Sequence, residues 1–239
     1  MSVESKRSNN SSNGNEQKAP GFRLWPLDPN WSAALKLTSF KWKFWTGILI
    51  LTGILIALPF FFNAIEERNG IRFDDMVLER ISARNVSVAV FFLIWSSCLI
   101  LIFRIYRDPM MLLTTLWAYN CVTLVRMACI SLISLNPPAG LIPLADPITN
   151  LFYGQRYITH DLFFSGHTTT VFLIFLCLKK KTDRIYVLIA SILLGILLLV
   201  QHVHYTIDVL AAPVFTYASY RFALIITKIG NQPNIPGPG

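Results

Sequence analysis

The chain reads as an all-α, polytopic membrane protein with six transmembrane helices and both termini cytosolic. Three observations predict this. Its residues are 54% hydrophobic and only 14% charged, and the mean hydropathy is +0.51, too apolar for an ordinary soluble domain. The apolar residues are gathered into long runs, without the amphipathic spacing of soluble helices. The basic residues flank those runs in an alternating pattern.

Residues 1–21 are rich in Ser, Asn, Gly and Lys with few large apolar groups, so they read as a disordered polar tail. A polar start followed by a distant apolar run is not the layout of a secretory signal. Residues 22–43 mix Trp25, Trp31, Phe40 and Trp42 with Lys36, Lys41 and Lys43. That mixture suits an interfacial segment, with rings at headgroup depth. A transmembrane catalytic domain follows at 44–227, then a short tail at 228–239. Its six spans fall near 44–62, 86–103, 111–135, 162–178, 185–203 and 206–227, each close to the ~20 residues a ~30 Å hydrocarbon layer requires. Asn136-Pro-Pro-Ala-Gly140 stops the third span, because two prolines disfavour continued helix and Gly140 eases a turn.

Lys and Arg counts orient the spans. Lys36, Lys41, Lys43, Arg104, Arg107, Lys179, Lys180, Lys181, Arg184, Arg221 and Lys228 fall on one side if six spans are drawn, which makes that side cytosolic. The net charge of +8 is thereby explained by topology, and nucleic-acid binding is not expected. Arg156 reads as an interfacial anchor on the opposite side, where Asn85-Val-Ser87 also forms a sequon close to the membrane. The four cysteines lie inside apolar runs without metal-ligand or CxxC spacing and read as packing residues.

All four histidines (160, 167, 202 and 204) then land at the non-cytosolic ends of the last three spans. Ionisable groups at that depth are costly and point to function. His204 and Asp208 are four residues apart, so on a helix they share one face. A carboxylate bonded to one imidazole nitrogen fixes the tautomer and makes the other a better nucleophile or base. His167 arrives from another span behind Ser165 and Gly166. Gly166 allows close backbone approach, while Ser165 or the adjacent amides can bind phosphoryl oxygens. Two histidines of opposite role and one orienting acid suit in-line phosphoryl transfer through a phosphohistidine, with a bell-shaped pH profile. Blander readings stand beside these: His160 and His202 as hydrogen-bonded packing residues, His202-Val-His204 as a metal pair, and Asp161 as the cap of a helix beginning near Leu162.

Asp161-Leu-Phe-Phe-Ser165-Gly166-His167-Thr168 and His202-Val-His204-Tyr-Thr-Ile-Asp208-Val209 resemble motifs of the type 2 phosphatidic acid phosphatase superfamily. More closely, they are similar to the Asp-x-x-x-Ser-Gly-His-Thr and His-x-His-Tyr-Thr-x-Asp-Val motifs of the sphingomyelin synthase family within it. A weaker resemblance covers Arg126 and the Asn136–Gly140 exit, so the likeness runs from about residue 70 to 227. The superfamily's phosphatases carry a Ser-Arg pair where this chain has Leu197 and Leu198, which favours the synthase branch. Two family features are altered: the Pro-Pro-Leu-Pro-Asp segment is reduced to Arg72-Phe73-Asp74-Asp75, and Thr159-His160 replaces Cys-Gly.

That resemblance implies a membrane phosphotransferase without metal or other cofactor, acting on phospholipid and lipid-alcohol substrates from the non-cytosolic side. His204 would attack the phosphodiester of a glycerophospholipid such as phosphatidylcholine, oriented by Asp208. His167 would protonate the departing diacylglycerol and then deprotonate a ceramide-like acceptor. Arg126 would compensate phosphate charge and Asp161 would contact a headgroup amine. The alternatives are a lipid phosphatase or phospholipase C-like hydrolase using the same triad, and a scaffold or transporter that keeps the polar residues for structure.

Overall fold

A computed structural model describes residues 29–144 and 159–228. The tail 1–21, the first residues of the segment 22–43, Arg156 and residues 229–239 lie outside the described residues.

Seven α-helices make up the described regions: α1 (Pro29–Ala34), α2 (Thr38–Glu66), α3 (Ser87–Ile105), α4 (Pro109–Leu132), α5 (Gly166–Cys177), α6 (Lys181–Val200) and α7 (Thr206–Lys228). Five of them (α2, α3, α4, α6 and α7) are long and apolar enough to cross a membrane. Their outer faces carry Trp45, Leu49, Phe60, Val88, Phe92 and Leu210, all exposed, as lipid-facing surfaces require. No β-strand occurs among the described residues beyond a single parallel bridge between Ile71 and Leu135.

The helices run up and down, and contacts at both ends of the bundle show it. At one end Lys43 Nζ donates to the Ile226 carbonyl at 2.7 Å, Arg104 Nε pairs with Asp183 at 2.5 Å, and Lys179 pairs with Asp108. These pairs join the start of α2 to the end of α7, the end of α3 to the start of α6, and the end of α5 to the start of α4. At the other end, Arg68 donates to the carbonyls of Ile130 and Ser131, and the Arg84 amide to that of Val200. Helix α4 lies centrally, packed on α2, α5 and α7, while α6 packs on α3 and α5. A core of Val90, Val171, Ile174, Val187, Leu194 and Leu198 fills the space between α3, α5 and α6.

Several expected boundaries move, α2 for instance running over Thr38–Glu66 where 44–62 is expected, and three of the shifts have a local cause. The fourth span, expected from 162, becomes a helix only at Gly166, because Phe163 and Phe164 sit at φ 72° and 48°. Left-handed backbone at two consecutive residues is incompatible with an α-helix. The resulting 12-residue helix is about 18 Å long, short of a ~30 Å hydrocarbon layer. The third span ends at Leu132, not 135, and Ile133 continues extended into the bridge with the 67–86 segment. The fifth span ends at Val200, not 203, so residues 201–205 form a turn in which His202 has φ 56°.

Candidate active site

The end of the bundle where α2, α4 and α6 finish and α5 and α7 begin gathers the histidines. Asp208 is the third residue of α7. His204 precedes that helix, so the expectation that the two share a helical face is corrected: α7 starts at Thr206. They still meet, because the Asp208 carboxylate folds back over the start of its own helix. Its Oδ2 accepts from the Tyr205 amide at 3.1 Å and lies 3.4 Å from His204 Nδ1. This is the return half of a capping box, in which a side chain at the third helical position binds the amide of the capping residue. His204 is 3% exposed and Asp208 fully buried. At 3.4 Å the imidazole contact is looser than a standard N–H···O bond, and His204 Nδ1 and Asp208 Oδ1 make no hydrogen bond. Loose contacts of this kind are common in unliganded catalytic pairs.

The Ser165 amide donates to the Asp208 carbonyl at 3.0 Å, which fastens the Ser165-Gly166-His167 turn to the first turn of α7. Ser165 itself is the N-cap of α5, its buried Oγ accepting from the Thr168 amide at 3.3 Å. Serine relieves an unpaired helix donor in that position. The cap expected from Asp161 is therefore made by Ser165. Asp161 instead pairs with Arg126 Nη2 at 2.6 Å, and Arg126 Nε donates to the Phe164 carbonyl at 3.2 Å. The guanidinium lies directly against Gly166: a Cβ there would sit 2.8 Å from Cζ.

Arg126, Asp161 and His167 line a cavity of about 270 Å³ whose remaining walls include Leu58, Phe62 and Ile94. It falls just below the ~300–1,000 Å³ typical of ligand pockets, and both charged and apolar side chains line it. Asp161 Oδ1 is buried there without a hydrogen-bond partner. His204 is not among the lining residues; the Ser165–Asp208 bond joins the turn that carries His167 to the helix start next to it.

The other two histidines are engaged differently. His160 Nδ1 lies 2.7 Å from Glu66 Oε2, and its Nε2 lies 3.3 Å from Asn136 Oδ1. The Asn136 amide orientation is fixed by paired bonds to Gly70, whose N–H donates to Oδ1 at 3.0 Å and whose carbonyl accepts at 2.6 Å. His202 Nδ1 is 2.9 Å from the Ala139 carbonyl, and its Nε2 is 2.9 Å from that of Ile81. Each ring thus joins separate segments through both nitrogens, and with both His202 nitrogens facing backbone carbonyls neither is open to a metal shared with His204.

Residues outside the two histidine motifs complete the site. Asp75 accepts from the Thr206 amide at 2.6 Å and from its hydroxyl at 3.0 Å. Burial raises the Asp75 pKa, but the Thr206, Val77 and Leu78 donors outweigh it and hold the carboxyl below its ordinary value. Gln201, fully buried, donates to Ser87 Oγ at 2.8 Å and accepts from the Val86 amide at 3.3 Å. Besides its place in the reduced Arg72-Phe73-Asp74-Asp75 segment, the local signal for Asp75 is its position two and three residues ahead of the Val77 and Leu78 amides it binds, an Asx-turn pattern.

Residues 160–225 match the family model described as PAP2 superfamily C-terminal. The stretch spans Asp161, the Ser165–His167 turn and the His204–Asp208 pair, and the match supports the PAP2 superfamily. Lipid phosphatase or phosphotransferase chemistry, in an enzyme acting on phosphorylated lipids, is what that superfamily suggests. No curated protein matches the chain.

Proposed function

We propose that this protein is an integral membrane phosphotransferase of sphingomyelin synthase type. It would move phosphocholine or phosphoethanolamine from a glycerophospholipid to a ceramide-like alcohol through a phosphohistidine. The observation that carries this reading is the bond from the Ser165 amide to the Asp208 carbonyl, which sets the His167 turn against the His204–Asp208 pair. Asp208 faces His204 Nδ1, so Nε2 is the attacking nitrogen.

In the first step Nε2 bonds to phosphorus, the bond from phosphorus to the diacylglycerol oxygen breaks, and His167 gives that oxygen its proton. In the second, His167 takes the proton of the acceptor hydroxyl, whose oxygen bonds to phosphorus as the P–N bond breaks. Both histidines return to their starting states. Arg126 balances charge on the phosphoryl oxygens, and the unpartnered Asp161 Oδ1 receives the headgroup amine. A cavity of about 270 Å³ suits a headgroup, with the acyl chains left along the apolar wall at Leu58 and Ile94. The topology inferred from the basic residues puts this end of the bundle on the non-cytosolic side.

The test is incubation of purified protein with headgroup-labelled phosphatidylcholine, with and without ceramide. Label should enter a ceramide-linked product only when ceramide is present, and His204→Ala should abolish it. Label appearing solely as water-soluble phosphocholine would instead identify a hydrolase with the same triad. Turnover that survives His204→Ala would leave only a scaffolding or transport role for these residues.

A further inference from the structure

We propose that Asp75 is a positioning residue for the His204–Asp208 pair, supplying from the 67–86 segment the N-terminal cap that α7 lacks in its own sequence. This rests on the reading of His204 as the nucleophile.

A helix leaves its first amides without intrahelical acceptors, and Ser, Thr, Asp or Asn at the capping position normally serves them. The capping position of α7 is Tyr205, whose hydroxyl cannot fold back onto its own helix. That hydroxyl instead donates to the Asn136 carbonyl at 2.9 Å and accepts from the Phe73 amide at 3.3 Å. Asp208 serves the Tyr205 amide with the same Oδ2 that faces His204. The Thr206 amide goes to Asp75, whose Oδ2 takes it at 2.6 Å while Oδ1 takes the Thr206 hydroxyl at 3.0 Å. The carboxylate is held in turn by the Val77 and Leu78 amides, at 3.0 and 3.4 Å. Its charge also lies at the positive end of the helix dipole. Phe73 adds an edge contact to the Tyr205 ring, with centroids 6.0 Å apart.

If Asp75 is removed, the Thr206 amide needs another acceptor. The nearest carboxylate in sequence is Asp208, two residues on. Swinging toward Thr206 would take Oδ2 away from His204 Nδ1. Asp75 therefore keeps Asp208 available to orient the imidazole. The consequence falls on the chemical step and not on lipid binding, since Asp75 does not line the cavity.

The experiment compares Asp75→Ala, Asp75→Asn and the double variant Asp75→Ala/Thr206→Pro. Each is the full chain reconstituted in phosphatidylcholine vesicles containing ceramide, with kcat and KM read from phosphocholine transfer or release. Asp75→Ala should lower kcat about 10- to 100-fold with KM within about threefold, the scale of a sub-ångström to 1 Å displacement of a reacting group. Asn keeps an oxygen for the Thr206 amide and should restore kcat to within about threefold of the parent. Proline at the first helical position has no N–H to cap, so Thr206→Pro should recover most of the activity lost in Asp75→Ala. A kcat for Asp75→Ala within twofold of the parent overturns the proposal. So does a loss carried by KM, or an Asn variant as impaired as Ala. Where Asp75→Ala fails to accumulate, the Asn and double variants carry the comparison. If the parent turns over no lipid, the phosphotransferase reading fails by itself. The positioning claim is then read from the ring ¹⁵N resonances of His204, which Asp75→Ala must move and Asp75→Asn must leave in place.

Discussion

Replacing Gly166 with alanine separates the geometry of the site from the stability of the fold. A Cβ at this position would sit 2.8 Å from Arg126 Cζ and 2.9 Å from both Nη1 and Nη2. Carbon contacts settle near 3.5–4.0 Å, so the guanidinium must retreat by roughly 0.7–1.2 Å. Arg126 is a flexible side chain, so the retreat costs the fold little. Alanine at the first position of α5 also narrows the unfolded ensemble, a gain of about 0.4–1 kcal/mol where the backbone permits it. The loss falls on Arg126, held by Asp161 at 2.6 Å and the Phe164 carbonyl at 3.2 Å. A displacement near 1 Å of a positioning group costs about 100-fold in rate, equivalent to about 2.7 kcal/mol of transition-state stabilisation. The expected outcome is a kcat/KM for lipid turnover about 100-fold below the parent, with the unfolding midpoint of the detergent-solubilised protein within a few degrees of it. Activity within threefold of the parent would refute the argument that the guanidinium's position matters. A large drop in the midpoint would show that Gly166 is needed for packing instead.

Asp208→Asn keeps an acceptor for the Tyr205 amide but removes the charge beside His204; lipid turnover should fall about 100- to 10,000-fold, with the folded yield unchanged. His202→Ala removes the ring that joins Ala139 to Ile81 and should lower unfolding stability by about 1–3 kcal/mol, measured by denaturant titration in detergent. Because the Asp75 carboxyl is held below its ordinary value of 3.8, its contribution is fully present above that pH and is lost as pH falls through the depressed value. Amide exchange at Thr206 should therefore accelerate in the parent as pH drops below about 4, once intrinsic exchange is corrected for, and Asp75→Asn should lack that dependence.

The basic residues that the sequence groups on one side gather at one end of the bundle. Lys43, Arg104 and Lys179 all lie there, because charged side chains are excluded from apolar runs wherever the chain folds. Hydropathy also found the apolar runs, since length and composition alone decide whether a helix can be lipid-exposed. Helix ends within those runs were not legible. Phe163 and Phe164 look as apolar as any helical pair, yet their left-handed backbone starts α5 at Gly166 and lets Arg126 reach Asp161.

The chain by itself determined which residues are chemically able to act: the Ser165-Gly166-His167 turn and His204 with Asp208, whose types and spacings suit phosphoryl chemistry in any fold that joins them. Only the tertiary structure decided how the four histidines differ. His160 and His202 use both ring nitrogens to tie segments together, whereas His204 Nδ1 faces a carboxylate and makes no hydrogen bond. It also recruited Glu66 and Asp75, 94 and 131 residues from their partners His160 and Thr206. Sequence spacing cannot encode such pairs, because the acceptor a buried amide or ring finds depends on which loop packs over it once the helices have assembled.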